Sequence, residues 1–98
     1  MTINKILVVD DSPTERYSMQ EVLTRNGYQV VTAESGEDAI AKSKSERPDL
    51  ILMDVVMPGM NGYQATRTIA RDATTCSIPI IMCTSKSQET DKIWGMRQ

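Results

Sequence analysis

Two adjacent aspartates and a third far downstream are the side chains of this sequence best placed to do chemistry. Asp10 and Asp11 close the apolar run ILVV at 6–9, and Asp54 closes the run LILM at 50–53. A strand that only had to stop could end on Gly or Pro, and both follow Asp54 within five residues. Thr84 and Ser85 follow a further apolar run, IPIIMC at 78–83. If these positions converge, they form an all-oxygen donor set. Mg²⁺ suits such a set, because it takes one or two carboxylates and keeps its other positions for water and phosphate oxygens. Some compensation is required, since two carboxylates about 4 Å apart repel by roughly 4 kcal/mol at an effective dielectric of about 20. No Lys or Arg adjoins them in sequence.

Other chemistries are poorly supplied. With no histidine in the chain, the usual general base at neutral pH is missing and triad-type hydrolysis is improbable. Cys76 and Cys83 lack CxxC spacing, and without histidine a zinc site has too few ligands. Both are expected to be reduced, with Cys83 buried. Neither GxxxxGK[ST] nor GxGxxG occurs, so nucleotide cradling has no support in the sequence. A net charge of −2 without a Lys/Arg cluster argues against nucleic acid or an anionic membrane as partner. No apolar run reaches membrane-spanning length, and MTINK precedes too few apolar residues for a signal peptide. The expectation is a cytosolic protein with no membrane insertion, its 98 residues forming one domain.

The elements that must position the acids are marked clearly. Apolar runs at 6–9, 30–31, 50–53 and 78–83 alternate with polar segments long enough for helices. Ser12-Pro-Thr-Glu15, Ser35-Gly-Glu-Asp38, Asn61-Gly-Tyr-Gln64 and Ser85-Lys-Ser-Gln88 each place a capping side chain three residues before an acid or amide. Pro13 suits a first helical position, Gly27 a helix end, and Arg47-Pro48 stops the second helix. Val22 and Leu23, Ala39 and Ile40, and Ile69 fall at helical spacing as core stripe. Most of the seven methionines read as packing filler and Trp94 as part of a half-buried helix face. The first, third and fourth strands lack alternation, so they are expected to be covered on both faces. The fold class is therefore α/β, a flavodoxin-like three-layer sandwich with a parallel sheet. Right-handed crossovers with the first strand central give the order 2-1-3-4, making strands 1 and 3 neighbours. Their carboxyl ends flank the point where strand order reverses, where such sheets bind ligands. Singly, each acid has an ordinary explanation as a helix-start or turn residue; their joint arrival at one crevice does not.

ILVVDDSPTER, DLILMDVVMPGMNGYQ and PIIMCTSKSQETDKIWG together resemble the receiver domain of two-component response regulators, the CheY-like family. Around SPTE and KSQETDKIWG the sequence is similar to the PilH-type single-domain regulators of twitching motility. The resemblance implies a phosphorelay switch, not an enzyme, taking a phosphoryl group from a histidine kinase and signalling by contact with a downstream protein. Asp54 would be the phosphoacceptor. Asp10, Asp11 and Asp54 would hold Mg²⁺ with the backbone carbonyl of Val56, Thr84 would sense the phosphoryl group, and Ser85 would leave room for its entry. The family pattern continues into a fifth strand, carrying a lysine, and a fifth helix. Residues 1–98 are thus read as a C-terminally incomplete receiver domain, with self-association expected through an exposed strand 4 or helix 1.

Rival readings have less support. A haloacid-dehalogenase-type phosphatase needs D-x-D, but Ser12 stands two residues after Asp10. A flavodoxin needs a phosphate-accepting loop where this chain has the acidic DDSPTE. A receiver-like binding module that is never phosphorylated is the remaining alternative.

Overall fold

The computed structural model describes residues 2–83. The apolar runs form four parallel strands, β1 (Lys5–Val9), β2 (Gln29–Ala33), β3 (Leu50–Asp54) and β4 (Ile80–Cys83). Helices α1 (Pro13–Arg25), α2 (Gly36–Glu46) and α3 (Gly62–Arg71) connect them. The sheet order is β2-β1-β3-β4, the expected flavodoxin-like arrangement. Register places Val9 opposite both Ala33 and Met53, and Asp54 opposite Cys83.

Local chemistry sets the helix boundaries. The Ser12 hydroxyl accepts from Glu15 N–H at 3.3 Å and Ser35 from Asp38 N–H at 3.0 Å. The full reciprocal box forms at Asn61 and Gln64, each side-chain oxygen accepting the other's N–H at 2.9 Å. Arg47, in the left-handed region at φ 49°, ends α2.

Right-handed crossovers in this order put α1 on one face of the sheet and α2 with α3 on the other. Between the sheet and the α2–α3 layer lies the core of Leu7, Val9, Ile51, Met53, Ala39, Ala65 and Ile69. Ile6 and Val8 point to the opposite face by strand alternation and are also buried.

Three expectations need correction. Val22 is exposed while Leu23 is half-buried, because neighbours on a helix lie about 100° apart and only one of them can face the sheet. The fourth strand starts at Ile80 rather than Ile78, and among the described residues it is not covered on both faces: Ile81 is 52% exposed. Among the described residues β4 is an edge strand, and no helix lies over the Ile81 side. Cys83 is half-buried rather than buried, although both cysteines are free thiols as expected. The expected helix after Ser85, with Trp94, lies outside the described residues.

Candidate functional site

The acids are delivered by the sheet. Asp10 follows the last residue of β1 and Asp54 is the last residue of β3. Because these strands are neighbours in register, both carboxylates emerge at the same edge, with Asp11 beside them. One carboxylate oxygen from each of Asp10, Asp11 and Asp54 lies within 4.8 Å of the others. Asp10 is 5% and Asp54 1% exposed.

The loop carrying the first two acids is tightly held. Asp10 N–H donates to the Ala33 carbonyl at 3.1 Å, extending the β1–β2 ladder by one residue. Asp10 Oδ1 accepts the Ser12 N–H at 2.9 Å, an Asx-type turn leading into α1. Arg16 Nη1 donates to the Asp10 carbonyl at 2.7 Å.

On the other side, Val55 N–H donates to the Cys83 carbonyl and Gly62 N–H to the Val55 carbonyl, both at 3.0 Å. Val56, beyond them, is 64% exposed, and its main-chain N–H reaches the Asp54 carboxylate.

The electrostatics follow from this crowding. Burial, then the charge of Asp10, push the Asp54 carboxyl up from 3.8 to about 6; the Val56 and Val55 N–H groups oppose the rise and Glu15 adds to it. The Cys83 thiol is pushed up by burial and by the charges of Asp54 and Asp10. Carboxylates so placed favour a cation over ionisation alone, and the all-oxygen donor set fits Mg²⁺.

Asp10, Asp11 and Asp54 thus come together, with the Val56 main chain beside Asp54. Thr84 and Ser85 lie outside the described residues. Three contributors escaped the sequence reading. Arg16 stands six positions from Asp10 and reaches it only through helix geometry. Cys83 joins by strand pairing. Gly62 is the one with a legible signal, since a glycine opening a helix is a poor choice unless something approaches closely.

The response regulator receiver domain family matches residues 6–98. PilH of Pseudomonas aeruginosa is 55% identical over 94 residues, covering 96% of this chain and 78% of PilH. The alkaline phosphatase synthesis transcriptional regulatory protein PhoP of Bacillus subtilis is 40% identical over 92 residues, covering 94% of this chain but only 38% of PhoP. Among solved structures, the N-terminal domain of a response regulator receiver protein from Methanoculleus marisnigri superposes with a TM-score of 0.82 at 36% identity, covering 96% of this chain and 78% of that one. Chemotaxis protein CheY4 of Vibrio cholerae gives 0.80 at 34% identity, with the same coverage.

Proposed function

The chain belongs to the response regulator receiver domain family, and from that premise we propose that Asp54 is the phosphoacceptor of a two-component relay. The observation that carries the reading is the buried Asp54 carboxylate at the end of β3, within 4.8 Å of carboxylate oxygens from Asp10 and Asp11.

In the proposed step an Asp54 oxygen attacks the phosphorus of a kinase phosphohistidine. The new O–P bond forms as the N–P bond breaks, the imidazole leaves as a neutral base on taking up a proton, and an acyl phosphate remains. Asp10, Asp11, Asp54 and the Val56 carbonyl would hold Mg²⁺, which supplies positive charge to the phosphoryl oxygens when bound. The chain's own contribution is placement: the β3 register aims Asp54, and burial removes the water that would blunt it as a nucleophile. Thr84 is assigned to sensing the phosphoryl group and Ser85 to leaving it room. The chain acts as a signalling switch rather than an enzyme, in the cytoplasm, through a downstream protein target. Among the described residues no helix is long and apolar enough to cross a membrane, which is consistent with that location. The 55% sequence identity to PilH, with the resemblance to PilH-type regulators, supports a place in twitching-motility control.

Intact-mass analysis after incubation with acetyl phosphate and Mg²⁺ tests the reading. One added phosphoryl group is expected, dependent on Mg²⁺ and lost in Asp54→Asn. Equal labelling of that variant would remove Asp54 from the role; no labelling of the wild-type chain would favour the binding-module alternative.

A further inference from the structure

The geometry points to Arg16 as a positioning residue for the cation site, acting through the main chain of Asp10. This inference rests on the reading that the three aspartates hold Mg²⁺.

Asp10 is tied at three atoms: its N–H to Ala33, its Oδ1 to Ser12 N–H, and its carbonyl to Arg16. The first two ties come from strand continuation and a local turn. The third is different, because it arrives from the side chain of a helical residue and meets the peptide that joins Asp10 to Asp11. A peptide unit is planar and includes the Cα atoms on both sides. Fixing the direction of the Asp10 carbonyl therefore fixes the peptide plane and the two Cα atoms in it, leaving only ψ of Asp10 and φ of Asp11 to set how the two Cα–Cβ bonds leave the chain. One hydrogen bond thus restrains the backbone that carries two of the three carboxylates.

Arg16 suits this task. Its guanidinium stays charged at any relevant pH, and a charge-assisted bond to a carbonyl is stronger than a neutral one. The residue is partly buried and lines a groove of about 240 Å³ with Thr32, Glu34, Asp38 and Lys42. The acids of that groove have a second cation at hand. Lys42 Nζ lies 3.4 Å from Asp38 and donates to the Thr32 carbonyl at 2.6 Å.

Positioning and simple electrostatics predict opposite outcomes. A positive charge near a cation site weakens cation binding, so removing it should tighten Mg²⁺ binding by Coulomb's law. If Arg16 positions the acids, removing it should weaken binding despite the lost repulsion. Outer-shell residues that orient metal ligands typically contribute on the order of 10- to 100-fold in affinity.

The test is calorimetric Mg²⁺ titration of the unphosphorylated wild-type chain, Arg16→Gln, Arg16→Lys and Asp11→Asn, with circular dichroism to verify folding at the titration temperature. Arg16→Gln is expected to bind about tenfold more weakly, and Arg16→Lys, which keeps a cationic N–H donor, to recover part of the loss. A purely structural role would lower the melting temperature and leave the affinity of the folded variant unchanged; that result, or tighter binding, overturns the inference. Weak binding by Asp11→Asn beside unchanged binding by Arg16→Gln would overturn it while leaving the Mg²⁺ reading intact. A wild-type chain that does not bind Mg²⁺ overturns both.

Discussion

Gly62 presses directly on the main chain of Asp54: a Cβ added to Gly62 would collide with the Asp54 carbonyl oxygen and stand 2.9 Å from Val55 Cα. The first turn of α3 thus closes on the strand end that carries the acid. The Gly62 N–H donates to the Val55 carbonyl across the same contact.

Substitution of Gly62 by Ala separates two effects. Helix propensity alone favours Ala by about 1 kcal/mol. Overpacking against backbone costs about 1–3 kcal/mol, and backbone cannot swing aside as a flexible side chain can. Gly62→Ala is expected to be net destabilising in urea melts and to slow labelling by acetyl phosphate. A more stable variant with normal labelling would show that the contact relaxes easily.

Asp54 sets one pH dependence of the metal-free protein. Its folded carboxyl titrates near 6, while its ordinary value is 3.8, so the fold binds this proton more tightly than the unfolded chain does. The contribution is full below about 3.8 and is lost as pH rises through about 6. Two pH units correspond to at most roughly 3 kcal/mol. Denaturation of metal-free protein from pH 4 to 8 should show this decline, and Asp54→Asn should abolish it while raising stability at pH 7. A flat profile in the wild type would contradict it.

Asp49 and Asp72 act in the opposite direction. Asp49 Oδ2 accepts the Lys5 and Asn4 N–H groups at 2.9 and 2.8 Å, tying the starts of β1 and β3, and these bonds lower its pKa. Asp72 is held down to about 2, first by the Thr74 hydroxyl and N–H and then by Lys44, whose Nζ lies 3.1 Å away across the α2–α3 layer. Folded values below the unfolded ones mean stability present above about pH 4 and lost as pH falls, for Asp72 through about 2. Thermal melts in acid should therefore separate wild type from Asp49→Asn and Asp72→Asn near neutrality and converge at the acid end.

The cysteines should differ in reactivity. Cys76 is exposed, whereas the half-buried Cys83 thiol is pushed up by burial and two carboxylates. Alkylation at pH 8 followed by peptide mapping is expected to modify Cys76 first, since the thiolate is the nucleophile. Mg²⁺ should speed the reaction at Cys83 by neutralising the neighbouring charge. Equal rates at both sites would rule out the electrostatic shielding of Cys83.

Much of this protein is legible in one dimension because its elements are locally signalled. The apolar runs, the caps at Ser12, Ser35 and Asn61, and the stop at Arg47-Pro48 reflect short-range rules, and crossover handedness then orders the strands. That was sufficient to bring Asp10, Asp11 and Asp54 to one crevice. Tertiary structure alone decided which of Val22 and Leu23 faces the sheet, that Ile81 lies open on β4, that Cys83 abuts Asp54, and that Arg16 grips the Asp10 carbonyl. Each depends on a rotation of about 100° per helical residue or on a cross-strand register. Neither leaves a mark in composition or spacing, because both are settled only when helix and sheet pack and every buried polar group must find its partner.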